Sequence, residues 1–126
     1  MKIPVKQDNK IEDGLHTGAI VDVEYRTEPY EYTDVVIETM VNGTGVRLKS
    51  GYSTYIAPSS KLGELLLRFK VPLIFGQEID PKQVLTGLEC QFQTITEKGK
   101  YAKIIPDSVK PVPNTKVYDG VHGANK

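Results

Sequence analysis

The chain has 126 residues, enough for one domain with short tails and too few for two separate hydrophobic cores. Its apolar fraction of 39% and charged fraction of 25% are typical of a globular domain. The 16 basic and 16 acidic residues cancel, which excludes a protein-wide positive field that would attract duplex DNA or an anionic membrane. Any nucleic-acid site must therefore be a local patch.

A single cysteine, Cys90, excludes an intramolecular disulfide and a cysteine-only zinc site, and it is typical of a reducing compartment. No apolar run approaches the roughly 20 residues that a membrane-spanning helix needs. Residues 1–10 lack the apolar segment of a signal peptide. We therefore expect a cytoplasmic protein with no membrane association.

The first half of the chain reads as three strands. Residues 1–13 are polar and aperiodic and are predicted to form an N-terminal arm. Strand character begins at Thr17, and Pro29 interrupts it because proline cannot donate to a ladder. A period of two predicts that the residues facing one way on strand one are Ala19, Val21, Val23 and Tyr25. On strand two, Val35, Ile37, Thr39 and Val41 oppose Asp34, Val36, Glu38 and Met40.

The dipeptide Asn42-Gly43 predicts a type I′ hairpin turn between strands two and three. Strand three then alternates, with Val46, Leu48 and Ser50 facing inward and Arg47 and Lys49 facing outward. Gly51 either allows a bend in a long strand or lies in a loop.

One convincing helix follows, with Ser59 or Ser60 as its N-cap. The apolar residues at helical spacing, which we expect to close the open end of a barrel, are Leu62, Leu65, Leu66 and Phe69. Further along, Asp80 as a cap and Pro81 at the first helical position predict one short helical turn.

Two more strands complete the pattern. Strand four alternates through Cys90, Phe92 and Thr94, and strand five runs from Tyr101 to Ile105 and ends at Pro106. The residues beyond are rich in proline and glycine and predict an extended tail. The predicted organisation is an arm at 1–13, a domain at 14–108 and a flexible C-terminal tail at 109–126.

The element order is strand-strand-strand-helix-strand-strand. It predicts an all-β domain, specifically a five-stranded OB-fold barrel with one helix between strands three and four.

The sequence offers little that could carry catalysis. His16 and His122 lie far apart in the chain, and nucleophilic catalysis needs a base beside the nucleophile. Cys90 alternates with polar residues on a strand, which favours a buried structural thiol. Asp22 and Glu24 could together reach a hard cation, but a solvated strand face is the simpler interpretation. We predict neither an enzyme nor a cofactor or metal site.

A binding site is easier to build, because proteins hold single strands with aromatic rings that stack on bases and cations that follow the phosphates. The predicted nucleic-acid-binding residues are Arg26, Tyr30 and Tyr32 around the first loop, Arg47, Lys49 and Tyr55 on or after strand three, and Lys98, Lys100, Tyr101 and Lys103 around the last hairpin. The alternative is that these rings pack at strand ends and the cations only solubilise an outer face. Acidic residues on the outward side of strands one and two count against binding: Asp22, Glu24, Asp34 and Glu38.

Four segments carry a resemblance to a known group: 18–24, a strand pair ending near Gly51-Tyr52, 59–66, and Leu88-Glu89-Cys90 after Thr86-Gly87. Over residues 14–110 the chain resembles small OB-fold proteins of phages, plasmids and archaea, many of them single-stranded-DNA-binding or replication-protein-A-like. The tail departs from the acidic tail of bacterial single-strand binders, since it carries Lys110, Lys116 and Lys126.

The resemblance implies binding of single-stranded DNA, or of RNA, with little sequence specificity, in replication, repair or recombination. The alternative is a protein-interaction or assembly module, in which an edge strand or the C-terminal tail docks a partner. A small-ligand barrel would need an internal cavity, and a barrel this small is normally filled by its own side chains.

Overall fold

The computed structural model describes residues 1–5, 11–97 and 101–113. The strands are β1 (Gly14–Arg26), β2 (Tyr32–Val41), β3 (Thr44–Ser53), β4 (Glu89–Glu97), β5 (Tyr101–Ile104) and β6 (Lys110–Pro111). Two helices, α1 (Lys61–Arg68) and α2 (Pro81–Leu85), lie between β3 and β4, and a 3-10 turn (Pro106–Ser108) follows β5. All strand pairings are antiparallel, so the all-β prediction is confirmed.

The long first strand organises the sheet. The order is β3-β2-β1-β4-β5, with β6 also paired to β4. The first half of β1, from Gly14 to Ala19, pairs with β4, whereas its second half, from Ala19 to Arg26, pairs with β2. The strand changes partner next to an irregularity in its register between Ile20 and Asp22.

This irregularity overturns the predicted alternation of β1. A bulge adds one residue to a strand and so moves the following side chains to the opposite face. Ile20 and Val23 are therefore both buried although they lie three residues apart. The prediction that put Ala19, Val21, Val23 and Tyr25 on one face was wrong because it assumed an unbroken period of two.

The hairpin between β2 and β3 follows the predicted turn. Asn42 and Gly43 have φ angles of 53° and 78°, the positive values that a type I′ turn requires. The two strands pair along their whole length, from Tyr32 opposite Ser53 to Val41 opposite Thr44.

Helix α1 covers the core as predicted. Ser60 is its N-cap, and the Ser60 hydroxyl accepts a hydrogen bond from the Gly63 N–H at 3.0 Å. The four apolar residues predicted for the core-facing side are all buried: Leu62, Leu65, Leu66 and Phe69.

The two ends of the sheet share one core. Tyr52 of β3 and Ile104 of β5 belong to the same buried cluster, although three strands separate β3 from β5 in the sheet order. The Tyr52 hydroxyl donates to the Pro106 carbonyl at 3.0 Å, next to β5. The sheet must therefore curl around its core, yet among the described residues no strand ladder joins β3 to β5.

The prediction of five strands and one helix was incomplete. Lys110–Pro111 adds a sixth strand against Cys90 and Gln91, and its two residues are too few to establish a period in the sequence. The short helical turn predicted from Asp80 and Pro81 is present as Pro81–Leu85, capped by Asp80, and counts as a second helix. In the ranges described, neither helix has the length and apolar character needed to cross a membrane.

Packed structure extends past both predicted edges of the domain. Ile11 is buried, and the carbonyl of Glu12 accepts a hydrogen bond from Thr94 Oγ1 at 2.8 Å. Val109 is also buried, at the start of the predicted tail. Residues 114–126 of that tail lie outside the described residues.

Candidate nucleic-acid interface

The outward side of β1, β2 and β3 is a charged surface whose rows follow from strand register. Side chains that lie opposite each other on paired strands share a face. The facing pairs are Arg26 with Tyr32, Glu24 with Asp34, Asp34 with Gly51, Val36 with Lys49, and Glu38 with Arg47.

One end of this surface opens into a cleft of about 560 Å³ where the edges of the sheet approach each other, which we call the β3–β5 cleft. It is lined by Arg26, Tyr32, Asp34, Lys49, Gly51, Lys103, Ile104 and Pro106. Four of the ten residues predicted from the sequence to bind nucleic acid thus line the same cleft: Arg26, Tyr32, Lys49 and Lys103.

A clamped arginine forms one wall of the cleft. Arg26 donates from Nε and Nη2 to the two carboxylate oxygens of Asp34, at 2.5 and 3.0 Å. The Asp34 side chain is 6% exposed, whereas that of Arg26 is 45% exposed. The guanidinium carbon lies 4.9 Å from the centroid of the Tyr32 ring, within the range of a cation–π contact. The hydrogen bond to Asp34 raises the pKa of Arg26.

Gly51 makes room for this arrangement. A Cβ at position 51 would lie 3.0 Å from Asp34 Oδ1 and 3.1 Å from Tyr32 Cδ2. Both distances are tighter than ordinary van der Waals contact, so a side chain at 51 would displace the clamp. The absence of a side chain here lets the clamp lie directly on β3.

The predicted cations of the described region all have carboxylate partners. Lys49 Nζ lies 2.8 Å from Glu24, Arg47 Nε 3.0 Å from Glu38, and Lys103 Nζ 3.5 Å from Glu97. The hydrogen bond to Glu24 raises the pKa of Lys49. Exposed ion pairs of this kind contribute little to stability, so a phosphate can replace a carboxylate as the partner of either lysine.

The acidic pair on β1 is neutralised in the same way. Asp22 lies 3.3 Å from the Nζ of Lys82, and Glu24 is the partner of Lys49. Two hydrogen bonds lower the pKa of Asp22. The one from the Val23 N–H has the larger effect, and the one with Lys82 has the next largest. Within the ranges described, no group of three or more potential metal ligands is present.

Other predicted residues lie elsewhere. Tyr55 lines a separate cleft of about 610 Å³ together with Tyr25 and Asp80. Tyr30 and Tyr101 are 72% and 56% exposed and do not line the β3–β5 cleft. Lys98 and Lys100 lie outside the described residues.

Sequence reasoning missed the parts that Asp34 and Gly51 play. Asp34 was counted only as a negative charge opposed to binding, whereas it fixes the orientation of Arg26. To predict this contact one needs the register of β1 against β2. Arg26 lies opposite Tyr32, and Asp34 follows Tyr32 by two residues on the same face of β2. A five-residue loop does not specify that register.

No family model matches the chain, and no curated protein matches it.

Proposed function

We propose that the domain is an OB-fold barrel that binds single-stranded nucleic acid, most readily DNA, with little overall sequence specificity. The order of strands and helices supports the OB-fold. So does the division of β1 between β4 and β2, because a strand shared by two partners allows five strands to curl into a small barrel. The approach of β3 to β5 across one cleft agrees with a partly open barrel.

The observation that carries the proposed activity is the convergence of cations and a ring in the β3–β5 cleft. OB-folds bind oligonucleotides on the face of strands two and three and on the loops that flank it. Here Lys49 of β3 and Lys103 of β5 stand on the two sides of the cleft, and Tyr32 begins β2.

The binding mechanism follows from these positions. Lys49 and Lys103 exchange their carboxylate partners for phosphates of a strand that lies along the cleft. Tyr30, just before β2, and Tyr101, at the start of β5, offer exposed rings, and stacking on an aromatic ring contributes about 1–3 kcal/mol per base. Competition from Glu24 and Glu97 keeps the affinity moderate.

The test is fluorescence anisotropy of a labelled deoxythymidine oligonucleotide of about 20 nucleotides, at about 50 and 200 mM salt. We expect dissociation constants in the micromolar range at low salt and weaker binding at high salt, since phosphate contacts release counterions. Lys49→Ala and Lys103→Ala should each weaken binding and reduce the salt slope by about 1. Lys61→Ala is the matched control, because Lys61 is exposed on α1 and does not line the cleft.

Absence of binding to both DNA and RNA oligonucleotides, at tens of micromolar protein and low salt, would contradict the proposal. Equal losses for Lys61→Ala and Lys103→Ala would contradict the cleft as the site.

A second candidate function, a protein-interaction module, is favoured by a largely apolar cleft of about 830 Å³ along the first half of β1. It includes Leu15 and Met40, which are 60% and 64% exposed, together with Val112. Exposed apolar groups gathered in one place are typical of interaction sites. Failure of the oligonucleotide titrations would favour this candidate.

A further inference from the structure

The guanidinium of Arg26 keeps one edge free of the Asp34 clamp. Arginine has five N–H donors in a rigid planar fork, and Asp34 accepts from Nε and from one N–H of Nη2. The clamp leaves both N–H groups of Nη1 and the second N–H of Nη2 along the outer edge. Because Arg26 lines the β3–β5 cleft and is nearly half exposed, this edge is accessible to a ligand there.

We infer that Arg26, oriented by Asp34 and Tyr32, recognises a guanine base at one position of the strand bound in the β3–β5 cleft. This inference rests on the proposed function and adds a single base preference to it. Two parallel N–H donors match the adjacent O6 and N7 acceptors of guanine.

Charge favours a base over a phosphate at this position. Asp34 already neutralises Arg26, and Glu24 faces Asp34 across the β1–β2 pair. A phosphate bound at the outer edge of Arg26 would approach these carboxylates and be repelled, whereas guanine is neutral. Lys103, whose exposed partner Glu97 does not belong to this acidic pair, is better placed to take a phosphate.

The donor pattern also separates guanine from the other bases. Adenine presents N7 beside an amino donor, thymine presents one carbonyl acceptor, and cytosine presents an amino donor. Guanine alone offers two adjacent acceptors on its major-groove edge. A single strand also exposes the adjacent O2 and N3 acceptors of cytosine, so an oligonucleotide with one central deoxycytidine is the matched comparison for the guanine contact. The clamp strengthens the discrimination because the guanidinium cannot rotate to suit another base without breaking its bonds to a buried carboxylate.

The experiment compares four labelled oligonucleotides of about 20 nucleotides: all deoxythymidine, and the same with one central deoxyguanosine, deoxycytidine or 7-deazaguanosine. A single guanine avoids association between strands. We expect the guanine oligonucleotide to bind about 5-fold or more tightly than all-thymidine, as one bidentate contact gives. The 7-deaza base lacks N7 and should lose most of that gain.

A protein variant tests the fork directly. Arg26→Lys keeps the positive charge but presents a compact ammonium in place of the planar fork. We expect the guanine-to-thymidine affinity ratio to fall to about 1. Lys103→Ala is the matched control, and it should weaken binding to all four oligonucleotides equally while the ratio is preserved. Thermal unfolding of each variant verifies that it is folded.

The outcomes separate this inference from the proposed function. Salt-dependent binding of all four oligonucleotides with equal affinity would overturn the guanine contact and leave the proposed function standing. A guanine preference that survives in the 7-deaza oligonucleotide or in Arg26→Lys would also overturn the assignment to Arg26. Failure of all four to bind would remove the proposed function, and this inference with it.

Discussion

Tyr52 shows how a single side chain can hold two ends of a sheet together. Its ring is buried in the core, its hydroxyl accepts a hydrogen bond from Ser50 Oγ at 2.9 Å, and it donates to the Pro106 carbonyl. In the sequence it resembles the exposed tyrosines near strand ends. Burial raises its pKa from 10.0 to about 12, and burial likewise raises the pKa of Cys90 from 9.0 to about 12.

These two shifts predict a loss of stability in alkali. Both groups are neutral when protonated and hold their protons more tightly in the folded state, so their contribution is complete below the unfolded pKa values. The free energy of unfolding should fall from about pH 9, as Cys90 begins to ionise in the unfolded chain, and more steeply above pH 10. Each group contributes at most about 1.4 kcal/mol per pH unit. Urea titrations between pH 7 and 11 measure this slope.

Cys90→Ala is the diagnostic variant for that titration. It should lower stability at pH 7, because it leaves a cavity in the core, and flatten the slope between pH 9 and 10. Tyr52→Phe should change the slope only above pH 10. An unchanged slope in Cys90→Ala would show that other groups cause the alkaline loss.

At the scale of elements, helix α1 owes its position to close contact at its first turn. A Cβ at Gly63 would overlap the carbonyl of Ala57, whose oxygen also accepts a hydrogen bond from the Ser60 hydroxyl. Gly63 therefore sets how near the helix lies to the chain that leads into it.

Gly63→Ala should destabilise the protein by about 2 kcal/mol or more, as overpacking does, although alanine is the better helix former. Lys61→Ala on the exposed side of the same turn is the control and should change stability by less than about 0.5 kcal/mol. Urea unfolding of both variants provides the comparison. A neutral or stabilising Gly63→Ala would mean that the contact with Ala57 relaxes freely.

At the scale of the whole molecule, packing is uneven. The centres of β1 and β2 supply fully buried side chains such as Ile20, Val35 and Ile37. The segment between the helices differs, since Phe75 is fully exposed and Ile74 is about half exposed. Within it, the Gln77 N–H donates to the Ile74 carbonyl in a local turn.

Amide hydrogen exchange should reproduce this difference. We expect the amides of the β1–β2 ladder to exchange only through global unfolding, and those of 74–76 to exchange at rates close to those of an unfolded chain. Mass spectrometry of peptides from each region at neutral pH gives the measurement. Protection at 74–76 equal to that of β1 would contradict this assignment and indicate a covering contact on Phe75.

Local patterns predicted much of the element content. The Asn42-Gly43 turn and the apolar side of α1 were both predicted correctly, because each depends on residues within one turn of chain. The bulge in β1 and the two-residue strand β6 were not predicted. Both depend on pairing with a strand that is distant in the sequence, and the local alternation of residues carries no information about that partner.

The candidate site divides in the same way. The sequence by itself determined the residue types, the strands that carry them and the turn chemistry, because φ preferences and side-chain alternation act between neighbours. Only the tertiary structure decided that Arg26, Lys49 and Lys103 line one cleft, that Tyr55 lies in another, and that Asp34 clamps Arg26. Those relations depend on strand register and on the curl of the sheet around its core, which are set by packing between segments far apart in the chain.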